Sequence, residues 1–332
     1  MTTTYAYQQG RPAPFQRIGI TFPEGTDVIE GLREAKMLDW NLRLEQEFIH
    51  LDGPEGGSYQ RNPNRFSVVR DNPYFEQGKG TRVQAVGTGL TRSYEIIHNE
   101  TCVSFAHDLV QVADGGLALD SAAEYKDGSR CLVAFRMPEN VLVGGVDPVA
   151  PYLFLRWSHD GGAALTATFA AWRVACTNQV PSTLGAGFPV YKVRHVGDGV
   201  QGRLADAQAV LGVTQRGFAD LEAIADQWAQ EQVTNDEFER IVERFIPATG
   251  REATDRVRLS DRAALRNLYH HNPNNEGLGQ SAWSALNALT EWTQWYAGAY
   301  GPQERAIAQL ESQTIANRMI QAERIVQQVA FA

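Results

Sequence analysis

Residues 153–181, LFLRWSHDGGAALTATFAAWRVACTNQVP, decide the fold. Two apolar-rich runs flank Asp160-Gly161-Gly162, a turn signal between antiparallel strands. The second run passes through Trp172-Arg173-Val174-Ala175-Cys176 into Thr177-Asn178-Gln179. After a glycine-rich gap the chain resumes as YKVRH at 191–195. The same pattern recurs upstream, where Leu117–Tyr125 and Arg130–Met137 flank Lys126-Asp127-Gly128. Shorter strands are predicted over 40–48, which alternates apolar and polar, and over RFSVVR at 65–70. Between them, 50–64 is rich in Gly, Pro and Asn and is predicted to be a loop. Gly87-Thr88-Gly89 reads as a turn.

Helical spacing interrupts this pattern twice. Val28, Leu32, Ala35 and Leu38 recur along 27–40, and Phe105, Leu109 and Val112 along 100–113. From residue 203 the period stays helical. Thr234 and Glu237 form a capping box ahead of the stripe Phe238, Ile241, Val242 and Phe245, which Pro247 and Gly250 close. Further helical runs are predicted over 254–271, 281–299 and 302–329, the last opened by Pro302. The fold class is therefore α+β: an antiparallel-sheet N-terminal domain followed by a helical C-terminal domain. The expected divisions are a mobile arm over 1–26, a strand-rich domain over 27–202 and a helical domain over 203–332.

Composition narrows the function classes. In 332 residues, apolar content is 43 % and charged content 21 %, as in a globular protein with a core. No apolar run approaches the roughly 18 residues of a membrane span, so no membrane partner is expected. The first residues, MTTTYAYQQG, lack the basic and apolar regions of a signal peptide. Cys102, Cys131 and Cys176 fit neither a disulfide framework nor a zinc ribbon, and a reducing, cytoplasmic setting is expected. The net charge of −9 argues against sequence-independent binding to duplex DNA over the whole surface. Charge is uneven, however. Residues 151–205 hold five basic and two acidic side chains and form the one net-basic block. Local charge decides local contact, because the Debye length is only about 8 Å in physiological salt.

The catalytic motifs examined are weak or absent. There is no phosphate-binding G-x-x-x-x-G-K-[ST] and no H-E-x-x-H, and neither a metal nor a cofactor is expected. Asp114, Glu124 and Lys126 could serve a metal-dependent nuclease if they converged. Ser158-His159-Asp160 cannot form a triad on a strand, because neighbouring side chains point to opposite faces. The basic signals are stronger. Arg156, Arg173, Lys192 and Arg194 lie in or beside the central hairpin, interleaved with Trp157, Trp172 and Tyr191. Arginines follow phosphates and aromatic rings stack on bases, so these residues are the predicted contacts to single-stranded nucleic acid. A structural role for the same residues, with the tryptophans in the core, stays open. A secondary stripe, Arg258, Arg262, Arg266 and His270, recurs every four residues and lies along one helix face.

The chain also resembles a phage- and plasmid-related family known as domain of unknown function 932. The resemblance is carried by Tyr94 to Asn99, the hairpin ending at Arg130, Ser158-His159-Asp160-Gly161 and Arg173-Val174-Ala175-Cys176-Thr177-Asn178. It continues through Arg194-His195 and Ser281-Ala282-Trp283-Ser284-Ala285-Leu286-Asn287-Ala288-Leu289-Thr290-Glu291. Gln179-Val180-Pro181 departs from the family pattern. The resemblance implies an accessory protein of mobile elements acting in DNA metabolism, with no established activity. Together these readings predict a non-catalytic protein that binds or anneals single-stranded nucleic acid, as a homo-oligomer in the bacterial cytoplasm. A structural or host-directed protein-interaction module is the alternative.

Overall fold

The computed structural model describes residues 12–53, 56–181, 184, 190–192, 199–298 and 300–332. The chain opens with α1 (Pro14–Ile18), β1 (Ile20–Thr21) and α2 (Val28–Glu34). Next come β2 (Arg43–Leu51), β3 (Ser58–Asp71), β4 (Val83–Leu90) and α3 (Asn99–Ala113). Strands β5 (Ala118–Tyr125), β6 (Arg130–Arg136), β7 (Val141–Val143), β8 (Asp147–Ser158), β9 (Thr166–Arg173) and β10 (Val190–Lys192) follow. The helices are α4 (Gly199–Gln230), α5 (Asn235–Phe245), α6 (Glu252–His271), α7 (Ala282–Glu291), α8 (Pro302–Glu311) and α9 (Gln313–Ala330). The fold is α+β, with antiparallel sheets in the N-terminal half and helices in the C-terminal half.

The large sheet has the order β1-β5-β6-β8-β9-β10, with β7 also on β8. The central hairpin forms as its sequence predicts. Leu153 pairs with Phe169 and Leu155 with Ala167. Asp160 Oδ1 accepts from Gly162 N at 2.8 Å and closes the turn. Both faces of this sheet are covered. Val133, Phe135, Leu153, Leu155 and Trp157 join a core with α2 and α3. On the opposite face Ala134, Tyr152, Phe154 and Trp172 bury Phe15 of α1 and Leu310 of α8. The Phe15 ring sits edge-on to Tyr152, Phe154 and Trp172, at 4.9–5.0 Å between centroids.

The helices build a third core, into which β7 and the far ends of β8 and β9 insert Val141, Val143, Val149 and Phe169. The predicted capping box is present, with Thr234 Oγ1 accepting from Glu237 N and Glu237 Oε2 accepting from Thr234 N. All ten residues of α7 are buried, so this helix has no solvent face and is the axis of the helical half. The run predicted over 302–329 is two helices, because Ser312 interrupts it and caps α9 through the Ile315 N–H.

The segment 50–64 departs from expectation. Strand β2 continues to Leu51, and β3 begins at Ser58 and pairs with it antiparallel. The three-stranded sheet β2-β3-β4 thus carries a two-stranded ribbon rather than a loop. Gly87, read as part of a turn, lies within β4. A Cβ at this position would run into the His159 carbonyl, so glycine is what lets β4 approach the central hairpin.

Candidate functional site

Three of the seven predicted contacts lie inside the protein. Trp157 is 1 % exposed, and its indole N–H donates to Asn99 Oδ1 at 2.9 Å. Trp172 is 2 % exposed against Phe15. Arg173 is wholly buried. These three are out of a nucleic-acid strand's reach, because α1, α2, α3 and the helical half cover both faces of the sheet that carries them. Arg156 is half-buried, lies over the Phe154 ring at 5.2 Å and donates to the Leu310 carbonyl of α8 at 3.3 Å. Tyr191 donates its hydroxyl to Asp206 at 2.5 Å, while Lys192 is exposed. Arg194 lies outside the described residues.

The secondary stripe holds α6 to α5 and the segment that follows it. Arg266 makes a two-point pair with Glu239, at 2.6 and 2.7 Å. Arg262 donates to the Ile246 carbonyl at 2.8 Å and Arg258 to that of Pro247. The His270 ring lies 5.9 Å from Phe238 and 4.9 Å from Tyr269. The nuclease triplet does not converge. Asp114 ends α3, whereas Glu124 at the far end of β5 pairs with Arg70 at 3.2 Å and Lys126 pairs with Glu311. Among the described residues no group of three His, Cys, Asp or Glu side chains could hold a metal ion.

The motif residues of the central and late segments form one buried junction between sheet and helices. Asp147 Oδ2 accepts from Arg173 Nε at 2.6 Å and from the Trp283 indole at 2.7 Å. Arg173 also donates to Asn275 Oδ1 at 3.2 Å and to the Asn274 carbonyl at 2.6 Å. Glu291 Oε2 accepts from Asn272 at 2.7 Å and Asn178 at 3.4 Å, and Asn178 Oδ1 accepts from the Trp295 indole at 2.9 Å. Burial pushes the Cys176 thiol up to about 12, with Arg173 opposing that rise.

A second junction ties the small sheet to the large one. The Arg70 guanidinium lies 4.1 Å from the Trp40 ring centroid and donates to Gln84 and Glu124. Gly128 in the β5–β6 turn, at φ +83°, leaves room for it, since a Cβ there would meet the guanidinium. His159 is buried beside Cys131, with its Nε2 3.8 Å from the thiol. Burial, and then the Arg70 charge, lower its pKa to about 4.

An aromatic and cationic surface of the kind sought in the central hairpin is present on the ribbon instead. Phe48 lies directly opposite Arg61, and His50 opposite Tyr59. Opposed residues and alternate residues along a strand share a face, so these four side chains stand together. Tyr59 is 75 % exposed and Phe48 56 %, and the His50 and Tyr59 rings lie 4.9 Å apart. Among the described residues no carboxylate pairs with Arg61. The acids nearby are engaged: Glu45 pairs with Arg43 at 3.4 Å, and Glu47 accepts from Ser67 and from Gly89 N. Asp52 lies 3.5 Å from His50. The register slips between Gln46 and Phe48, and this irregularity sets the distal ribbon apart from the paired base. The sequence reading missed this surface, although Tyr59, Arg61 and Arg65 on an acid-free run from 56 to 70 were a usable signal.

Comparison with known proteins gives one match. The model of the family described as Domain of unknown function (DUF932) matches residues 89–318, and the chain belongs to that family. No curated protein and no solved structure matches the chain.

Proposed function

We propose that this member of the DUF932 family is a non-catalytic protein that holds single-stranded nucleic acid on the Phe48, His50, Tyr59 and Arg61 face of its ribbon. The observation that carries the reading is this exposed aromatic face with an arginine in it that no carboxylate among the described residues pairs with. Rings stack on bases without regard to sequence, for about 1–3 kcal/mol per base, while arginine follows the phosphates. A net charge of −9 confines the attraction to this local surface and keeps the number of phosphate contacts small. Single-stranded intermediates of phage or plasmid replication and recombination are the substrates this chemistry suits.

The test is fluorescence anisotropy of a labelled oligonucleotide at two salt concentrations. Tyr59→Ala is expected to weaken binding about 5- to 150-fold, the loss of one stacked base. Arg61→Gln is expected to weaken binding and lower the salt slope by about 0.7, as one phosphate contact to a single strand is lost. Absence of binding by the parent protein at low salt would overturn the proposal, as would unchanged binding by both variants. A second reading, a protein-interaction module, is favoured by Ile49 and Leu51, which stand exposed on the other ribbon face. A defined oligomer that is lost in Ile49→Ser/Leu51→Ser, in a parent chain that binds no oligonucleotide, would support it.

A further inference from the structure

A cleft of about 500 Å³ opens beside α1 on the face of the large sheet that buries Phe15, lined in part by Gln16, Asp120, Arg136, Tyr152, Trp172 and Thr177. A second hollow of about 430 Å³ adjoins it, sharing Phe22, Asp120 and Arg136. Neither is at the ribbon. Asp120 and Arg136 lie toward the end of the β5–β6 pair away from the turn that receives Arg70.

Four observations set this cleft apart from a chance gap in packing. Asp120 is the extra residue of a β-bulge, since Leu119 pairs with Phe135 and Ser121 with Ala134. Bulges re-aim side chains and are over-represented beside active sites. The Asp120 carboxylate accepts from Gln16 Nε2 at 3.1 and 3.3 Å and has the Tyr152 hydroxyl beside it, while an ionised carboxylate can take about four donors. Arg136 is exposed, donates to Asn140 at 3.2 Å and has no carboxylate within ion-pair distance among the described residues. Thr177, at the rim, is held at φ +54°, a left-handed conformation that strains a β-branched residue.

We propose that this cleft binds a small organic anion that also carries a hydrogen-bond donor. Its carboxylate or phosphate sits on Arg136, and a hydroxyl or ammonium group donates to Asp120. The volume suits a ligand of nucleotide or amino-acid size. A nucleoside monophosphate, through phosphate and ribose hydroxyls, and an amino or hydroxy acid, through carboxylate and neighbouring donor, present the same chemistry. The proposal is independent of the ribbon.

Titration calorimetry on the full chain tests it, with adenosine and uridine 5′-monophosphates in one arm and L-glutamate and L-malate in the other, at millimolar concentration. Heat in one arm assigns the source of the anion. Arg136→Gln, a change at an exposed side chain, is expected to weaken binding about tenfold or more. Tyr59→Ala is expected to bind these probes as the parent does, which separates this site from the ribbon. No heat in either arm, or an Arg136→Gln protein that binds undiminished, would overturn the proposal.

Discussion

At the scale of single residues, the strongest expectations concern buried charge. Arg173 and Asp147 are paired where neither meets water, so truncating one leaves the other buried without its ion-pair partner. Arg173→Ala is expected to cost about 3–5 kcal/mol in denaturant unfolding, against less than about 1 kcal/mol for Arg256→Ala at the exposed pair with Glu252. His159 gives a pH signature. Its pKa is about 4 in the folded chain and about 6.5 when unfolded, so the unfolded state binds the extra proton first. Its contribution is complete above about pH 6.5 and is lost as pH falls toward 4, on the order of 2–3 kcal/mol. The acid limb of a stability-versus-pH curve is expected to flatten over that window in His159→Gln. The arginines and tryptophans around it were legible as chemistry but not as location. Trp172 and Arg173 look like a binding pair in sequence because the residues that enclose them, Phe15, Asp147 and Asn275, are remote in the chain.

At the scale of elements, helices and hairpins were readable wherever one face alone is buried, because periodicity then records the burial. Helix α5 and its capping box are the clearest case. The central hairpin misled in an instructive way. Its runs LFL and TFAAW are nearly continuous in apolar character, the mark of a strand covered on both faces, and such a strand offers no open face to a nucleic-acid strand. The ribbon failed for the opposite reason. It is exposed on both faces, so no alternation was imposed on it, and its Gly, Pro and Asn content reads as loop. Glycine at 87 tests how tightly the small sheet is seated. Gly87→Ala is expected to destabilise the chain by about 1–3 kcal/mol through overpacking, measured as a lowered denaturation midpoint. Tyr59→Ala is expected to stay within about 0.5 kcal/mol of the parent, as befits an exposed position.

At the scale of the whole molecule, two polar junctions make the parts one structure. One joins small sheet to large through Arg70, and the other joins sheet to helices through Arg173, Asp147, Trp283 and Glu291. The late W-x-x-x-N-A-x-T-E step and the R-V-x-C-x-N step of the sequence meet there, more than 100 residues apart in the chain. Unfolding is therefore expected to be cooperative, with tryptophan fluorescence and far-ultraviolet dichroism tracing one transition. All three thiols are buried, and burial raises each pKa. They are expected to resist a thiol reagent in the native state and to react together once the chain is denatured.

The distal ribbon has a further consequence. Phe48 to Leu51 and Ser58 to Arg61 belong to none of the three cores, so the rest of the chain is indifferent to what is written there. Foreign residues could be spliced in between Phe48 and Arg61, as a cutter is exchanged on a fixed handle, and natural selection would have had the same freedom. Chains that share the interior grammar of this one can then differ along the ribbon while remaining alike in build.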